Sequence, residues 1–279
     1  MTPSNTALTL AELTEEAYPW RSEHQAGIER HFGERLLRPL SDEERDRCAR
    51  LRVFCLLFSN RSGSTLLADT LFRAGFPIPP QVEPFNADLV IATACEHGMD
   101  SFVDYLLALV QNWPEHGWLG FKIGPRQFAW LARLGLLELF REVRVLTCGR
   151  EDKLRQAVSL YVARATNSWH SGMPAGTDPD ALPYCRETLL ACLREVLESE
   201  RLIEYLCALH GPERFATRYE GLLDDAPAVV AAAGRFLAID PQPRARVDPV
   251  ARPPLRRQSS SVNDRLLAQL REELALGAG

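Results

Sequence analysis

The feature that most constrains the fold is an apolar run followed directly by a small polar loop and a helical pattern. "LRVFCLLF" (51–58) contains β-branched and aromatic residues, and "SNRSG" (59–63) separates it from a helical periodicity running from Ser64 to Ala74. A short, nearly continuous apolar run bounded by a turn is typical of a strand buried on both faces. Gly75 is a natural end for the helix. The segment therefore predicts a buried strand, a loop and a helix in direct succession.

The same alternation of strand and helix patterns continues along the chain. Further strands are predicted at 117–124, 143–148 and 214–220, and helices at 87–112, 125–140, 153–167, 187–210, 226–237 and from a cap at Asn263 onward. Strands that alternate with helices favour a parallel sheet with helices on both faces. The chain of 279 residues is long enough for one sizeable core. We therefore expect an α/β, P-loop-like, three-layer fold, with a central parallel β-sheet flanked by helices over residues 51–279.

Residues 1–50 are polar and are expected to form an N-terminal helical extension. Within them, Ser41 and Glu44 have the spacing of a capping box ahead of a short helix. In contrast, the segment 76–87 contains four prolines, which exclude regular structure. The segment 240–261 is rich in proline and arginine and is expected to be irregular.

Composition excludes several classes of protein. The net charge is −5, so the chain lacks the general attraction of a basic protein to nucleic acid or to anionic membranes. Seven cysteines, an odd number without a C-x-x-C motif, indicate reduced thiols rather than disulfides or a zinc site. The sequence begins without a signal-peptide pattern and has no apolar stretch approaching about 18 residues. We expect a cytoplasmic protein with no membrane span and no metal.

The loop after the first strand has the character of an anion site. The backbone N–H groups of Gly63, Ser64 and Thr65 would point out of a helix N-terminus, which carries partial positive charge. The Walker A loop requires an earlier glycine and a lysine, but Phe58 and Ser64 occupy these positions. The sequence thus predicts an anion loop that is not a Walker A loop. An ordinary Ser/Gly turn that caps the helix is the alternative.

A second candidate lies at another strand-to-helix junction, "CGREDKLRQAVS" (148–159). Arg150 is on the predicted loop and Ser159 lies nine residues later in the helix, where a guanidinium and a hydroxyl would suit a second phosphate. Taken alone, the pair is weak evidence for a phosphate site, because an arginine at a strand end and a serine in a helix are common.

Together, the two segments resemble bacterial sulfotransferases of the trehalose 2-sulfotransferase and nodulation-type kind. These enzymes use 3′-phosphoadenosine 5′-phosphosulfate (PAPS) and release 3′-phosphoadenosine 5′-phosphate (PAP). Residues 61–67 match the family's R-S-G-S-T-L-L loop, and residues 150–159 match its R-x-x-x-x-x-Q-A-V-S pattern. The resemblance runs from about residue 51 to the C-terminus and implies sulfuryl transfer without a metal.

The resemblance also implies which residues bind PAPS: Arg61, Ser62, Gly63, Ser64, Thr65, Arg150, Ser159, Tyr219 and Arg257. The loop that contains Gly63 would hold the 5′-phosphosulfate, and Arg150 with Ser159 would hold the 3′-phosphate. Tyr219 lies in a Y-E-x-L segment whose tyrosine is placed against adenine, and Arg257 belongs to a late R-Q pair.

The implied catalytic residues are Glu83 and Arg61. "PQVEPFN" (80–86) resembles the family's P-Q-E-[FY]-F loop with one extra residue, Val82, and places Glu83 as the general base. Arg61 would bind the leaving phosphate oxygen. The implied reaction is an in-line displacement onto a hydroxyl of a small-molecule acceptor, namely a sugar, glycoconjugate or other secondary metabolite.

The residues themselves leave alternatives open. Glu83 is either the base or a solvated loop carboxylate, in which case His170 is the alternative base. Trp169 is either a core residue or a platform for a sugar ring. Lys122, in a matching G-x-K segment, is either part of the site or a lysine that extends from a strand end to solvent. Tyr219 is equally suited to packing on the sheet.

At the level of function, the alternatives are a P-loop-type kinase or NTPase and a nucleotide-binding protein without transfer activity. Residues 1–50 and 76–115 are candidates for acceptor recognition or for a homodimer contact.

Overall fold

Within the part of the chain that the computed structural model describes, residues 22–79, 82–112, 114–115, 117–169, 173, 176–244 and 261–276, one four-stranded sheet forms. The strands are β1 (Arg52–Phe58), β2 (Trp118–Ile123), β3 (Glu142–Gly149) and β4 (Arg214–Arg218). All neighbouring pairs are parallel, and the order is β2-β1-β3-β4. The predicted α/β fold with a central parallel sheet is confirmed.

Helices cover both faces of this sheet. They are α1 (Glu23–Phe32), α2 (Asp42–Ala49), α3 (Ser64–Arg73), α4 (Ala87–His97), α5 (Phe102–Asn112), α6 (Pro125–Arg133), α7 (Lys153–Thr166), α8 (Arg186–His210), α9 (Tyr219–Asp224), α10 (Ala226–Leu237) and α11 (Ser261–Leu276). Buried residues of α1, α2, α4, α5, α6 and the end of α8 form one core cluster, and α3, α9 and α10 form another. None of the described helices is long and apolar enough to cross a membrane.

The central strand β1 explains why its sequence is apolar almost throughout. Val53, Cys55 and Leu57 point into one core cluster, whereas Phe54 and Leu56 point into the other. Successive side chains of a strand point to opposite faces, so a strand covered on both faces needs apolar residues at consecutive positions.

The strand order creates a topological switch point between β1 and β3. The chain leaves β1 towards β2 on one side and then crosses to β3 on the other side. Phe58 is paired with Cys148 at the carboxyl ends of these strands, so the loops that follow start side by side. In open α/β sheets, ligands bind in the crevice outside such a point.

The predicted helix over 125–140 was too long. Helix α6 ends at Arg133, and Gly135 adopts a left-handed conformation with a φ of 68°. The N–H of Leu136 bonds to Leu131 O at 3.0 Å, which closes the last turn of the helix. A short 3₁₀ helix, Leu137–Leu139, follows as a separate element.

Two other predicted boundaries were also wrong. The strand predicted over 214–220 ends at Arg218, because Tyr219 already begins α9. Asn263 lies inside α11 and is buried, so it does not cap that helix. The described residues of the proline-rich segment, 76–79 and 82–86, have no regular structure, as predicted. Most of the segment 240–261 lies outside the described residues.

The described part of the N-terminal region packs against the sheet. Ser41 and Glu44 form the predicted capping box, with Ser41 N donating to Glu44 Oε2 at 2.8 Å. Ile28, Phe32 and Cys48 are buried in the same cluster as one face of β1. Residues 1–21 are not among those described, and the division of the chain at residue 50 stays a prediction.

Candidate functional site

The loop after β1 has a backbone that places several N–H groups at the start of α3. Arg61 and Gly63 have positive φ angles of 63° and 95°, and Gly63, the N-cap residue of α3, has no side chain with which to cap the helix. A Cβ atom at Gly63 would lie 2.5 Å from Cδ2 of Tyr219. Glycine is therefore required both for its conformation and for the approach of Tyr219. The uncapped first turn of α3, which includes Ser64 and Thr65, is suited to an anion.

The two loops meet as the strand order requires. Arg61 Nε donates to Ser159 Oγ at 3.0 Å, and Arg150 Nη1 donates to the carbonyl oxygen of Arg61 at 3.4 Å. The guanidinium of Arg150 also lies 5.0 Å from the ring centre of Tyr219, in cation–π geometry. Arg61, Gly63, Arg150, Ser159 and Tyr219 thus converge, although they come from separate elements.

The electrostatics of this cluster favour an anion. Burial and the neighbouring Arg150 lower the pKa of Arg61 to about 10 from its ordinary value of 12.5. Burial likewise lowers the pKa of Arg150, against the opposing influence of Tyr219 and Glu220. Two partly buried guanidinium groups side by side are more stable with negative charge nearby.

Unpartnered buried polar atoms indicate where a ligand would bind. Among the described residues, four buried side-chain nitrogen or oxygen atoms have no hydrogen-bond partner, and three of them are Ser62 Oγ, Arg150 Nε and Gln156 Oε1. The fourth, Trp118 Nε1, is at the opposite end of the sheet. Buried polar groups are normally hydrogen-bonded, so the concentration of exceptions at the two loops suits a polar ligand.

Glu83 lies beside the first loop and is held there by Lys122. Lys122 Nζ donates to Glu83 Oε1 at 2.8 Å and to Thr65 Oγ1 at 2.8 Å. The Lys122 side chain is 6% exposed and that of Glu83 is 28% exposed. Lys122 therefore does not extend to solvent. It links the candidate base to the first turn of α3, and Glu83 keeps a solvent-accessible portion.

The remaining predicted residues have different placements. Trp169 is 37% exposed, so it is not a core residue, and its carbonyl oxygen accepts a hydrogen bond from Arg61. The ring of Tyr219 contacts the anion loop and Arg150. His170 and Arg257 lie outside the described residues, and their proposed roles stay predictions.

Sequence reasoning gave no role to Gln156, although it is part of the matched pattern. Its Nε2 donates to Ser59 Oγ at 2.9 Å and to the carbonyl oxygen of Asn60 at 2.8 Å. Gln156 is completely buried and so holds the start of the anion loop against α7. Asn86, which bonds to Glu83, was missed as well, because nothing in its sequence context marks it.

The comparisons with known proteins give structural similarity without sequence similarity. No protein-family model matches the chain, and no curated protein matches its sequence. The structure is similar to retinol dehydratase in complex with androsterone and inactive cofactor PAP, with a TM-score of 0.39, 14% identity, and coverage of 89% of this chain and 70% of that one. It is also similar to mouse sulfotransferase SULT7A1 complexed with PAP, with a TM-score of 0.39, 12% identity, and coverage of 88% and 90%. At these values the similarity concerns the arrangement of elements and assigns no activity to this chain.

Among the described residues, no group of His, Cys, Asp or Glu side chains is placed to hold a metal ion.

Proposed function

We propose that this protein is a PAPS-dependent sulfotransferase, which transfers the sulfuryl group to a hydroxyl of a sugar, glycoconjugate or other small metabolite. The observation that carries the proposal is the meeting of two arginine-containing loops at the switch point. Ser62 Oγ and Arg150 Nε are buried there and have no hydrogen-bond partner within the described part of the chain. A lysine-bound carboxylate, Glu83, stands beside one of these loops.

The donor set suits a ligand with two separate anionic groups. PAPS carries about four negative charges near neutral pH, divided between its 5′ and 3′ ends. The hydroxyl of Ser62 and the first-turn N–H groups of Ser64 and Thr65 would hold the 5′ end. Arg150 and Ser159 would hold the 3′-phosphate. Arg61 contacts Ser159 and so connects the two groups of donors.

When bound, PAPS would supply the sulfuryl group and the phosphate that leaves. Glu83 would accept the proton of the acceptor hydroxyl, which is the task of a general base. Lys122 would hold the carboxylate at the edge of the loop, because it bonds to Glu83 and Thr65 at once. The exposed portion of Glu83 leaves room for an acceptor.

We also propose a cytoplasmic location, which the cysteines support. All seven are free thiols in the structure, and Cys48, Cys55, Cys148 and Cys192 are buried.

The second candidate is a P-loop-type kinase or NTPase. The sequence argued against this candidate because the loop itself lacks a lysine. The structure brings Lys122 from β2 to Thr65, so a lysine does reach the first turn of α3. The same lysine is bound to Glu83, however, which is the arrangement that the sulfotransferase proposal uses.

Calorimetry with PAP and with ATP·Mg²⁺ separates the two candidates. We expect PAP to bind tightly to the full chain and ATP·Mg²⁺ to bind weakly. Tight binding of ATP·Mg²⁺ with no response to PAP would contradict the proposal. A second step incubates the protein with PAPS and a panel of hydroxylated metabolites, and mass spectrometry then identifies the acceptor by the gain of one sulfuryl group.

A further inference from the structure

The second oxygen of the Glu83 carboxylate is held by a chain of two amides. Asn86 Nδ2 donates to Glu83 Oε2 at 3.2 Å, and Gln127 Nε2 donates to Asn86 Oδ1 at 3.1 Å. Gln127 is 6% exposed and lies in the first turn of α6, directly after the strand that carries Lys122. The segment that runs from β2 into α6 therefore holds both oxygens of Glu83, one directly through Lys122 and the other through Asn86.

We infer that Gln127 is a positioning residue that orients Glu83 through Asn86; the inference rests on the proposed function, in which Glu83 is the base. An asparagine amide has a donor end and an acceptor end, which exchange places when the group turns over. The Gln127 Nε2 group donates to Asn86 Oδ1 and so reinforces the orientation of Asn86 that the acceptor-only carboxylate of Glu83 also favours. Asn86 Nδ2 then faces the carboxylate. The opposite orientation would place an oxygen against Glu83.

Gly124 leaves the space that this arrangement needs. A Cβ atom at Gly124 would lie 2.3 Å from Gln127 Oε1, so an alanine there must displace the Gln127 amide. The backbone at Gly124 is extended, with a φ of −70° and a ψ of 152°, which alanine adopts without strain. Gly124→Ala therefore perturbs the amide chain without altering Asn86, Gln127 or Glu83.

Fixing both carboxylate oxygens matters because proton transfer depends on the position of the accepting oxygen. A small misplacement of a reacting group has a large effect on rate. Loss of the amide chain should lower turnover roughly tenfold, the factor that corresponds to one hydrogen bond to a charged group. The affinity for PAP should stay within about twofold, because the side-chain amide of Gln127 donates to Asn86 and not to either of the two loops.

The first test measures the reactivity of Glu83 in the full chain without ligand. Carbodiimide labelling of Glu83, followed by peptide mass spectrometry, reports how firmly donors hold the carboxylate. We expect Gln127→Met and Gly124→Ala to raise the labelling rate roughly threefold to tenfold. The matched control is Gln25→Met, since Gln25 is also buried, at 3% exposed, and bonds to Arg133 of the same helix α6. Its labelling rate at Glu83 should equal that of the wild type.

The second test compares PAPS turnover of Gln127→Met with that of Gln127→Glu at a pH of about 8, where a carboxyl group is ionised. A carboxylate at position 127 accepts but cannot donate, so it competes with Glu83 for the donor end of Asn86. We expect Gln127→Glu to be the slower variant, even though its side chain is closer in shape to glutamine. A purely structural role predicts instead that the loss of turnover in each variant follows its loss of melting temperature.

Failure of the positioning role and failure of the proposed function give different results in these tests. Labelling of Glu83 at the wild-type rate in both Gln127→Met and Gly124→Ala would overturn the positioning role, as would wild-type turnover in Gln127→Glu. If Gln127→Met does not fold, Gly124→Ala decides the labelling test. A wild-type chain that neither binds PAP nor consumes PAPS would contradict the proposed function, while the labelling result would still decide whether Gln127 holds Glu83.

Discussion

Lys122 Nζ lies 2.8 Å from Glu83 Oε1, and this contact places the candidate base beside the candidate anion loop. The two residues are 39 positions apart, in a strand and in a proline-rich segment. Because Lys122 also donates to Thr65 Oγ1, the carboxylate, the ammonium and the first turn of α3 form one connected group. The chemistry proposed for the site depends on this connection.

The role of Glu83 as base is tested by Glu83→Gln, which keeps the shape of the side chain and removes its ability to accept a proton. We expect PAPS turnover to fall by about 10²–10⁴-fold, the usual contribution of a general base. PAP affinity, measured by calorimetry, should change little. Glu204→Gln is the control, since Glu204 pairs with Arg214. Unchanged turnover would remove Glu83 as the base and make His170 the next residue to test.

The energetic link between Lys122 and Glu83 is tested by a double-mutant cycle in urea unfolding. Lys122→Met leaves the Glu83 carboxylate without its ammonium, so we expect the free energy of unfolding to fall by about 1–2 kcal/mol. The double variant with Glu83→Gln should recover part of this loss, giving a coupling energy of about 1 kcal/mol. Strictly additive effects would show that the contact contributes nothing to stability.

The assignment of Arg150 to the 3′-phosphate predicts a ligand-specific effect of Arg150→Met. PAP affinity should fall about 10- to 100-fold, because one charge-assisted hydrogen-bonding group is lost. The weaker binding of adenosine 5′-monophosphate, which has no 3′-phosphate, should be nearly unaffected. Arg155→Met is the matched control, as Arg155 pairs with Asp264. An equal loss of affinity for both nucleotides would contradict the assignment.

The lowered pKa of Arg61 predicts a pH dependence of PAP binding. Burial and Arg150 bring this pKa to about 10, and a bound anion favours the protonated form. PAP affinity should therefore be level from a pH of about 7 to about 9, and should fall above that as the ligand-free protein loses the Arg61 proton. Well above the pKa of Arg61, the PAP affinity should fall about tenfold for each pH unit. Calorimetry across this range, with Arg61→Gln as a variant expected to show no such decline, checks the prediction.

The requirement for glycine at position 63 predicts that Gly63→Ala is damaging. Alanine at a φ of 95° is strained, and its Cβ would clash with the ring of Tyr219. We expect a loss of about 1–3 kcal/mol in the free energy of unfolding and a loss of PAP binding. Gly149→Ala is the control, because no described residue other than its chain neighbours lies within 4 Å of a Cβ there. Normal PAP affinity in Gly63→Ala would show that the loop tolerates another conformation.

Local sequence patterns were sufficient for the elements that carry the site. The apolar run at 51–58, the polar loop and the helix from Ser64 were all predictable, because burial on two faces requires consecutive apolar residues and glycine marks the turn. Helix ends were less predictable where the stopping signal is a left-handed residue inside an apolar stretch, as at Gly135.

The candidate site was only partly predictable. Arg150 and Ser159 could be paired with the first loop through a resemblance of pattern, but their meeting with Arg61 depends on β1 and β3 being neighbours. Strand order arises from the packing of whole elements, and no short stretch of sequence encodes it.

By itself, the amino-acid sequence determined the alternation of strands and helices, the two loops and the identity of their polar residues. Only the tertiary structure decided that Lys122 bonds to Glu83 and that Gln127 reaches Asn86. These contacts join residues about 40 positions apart, and they exist because the sheet places its strand ends at one edge. Side-chain chemistry can be identified in the sequence, but the distances between side chains are set by how the elements pack.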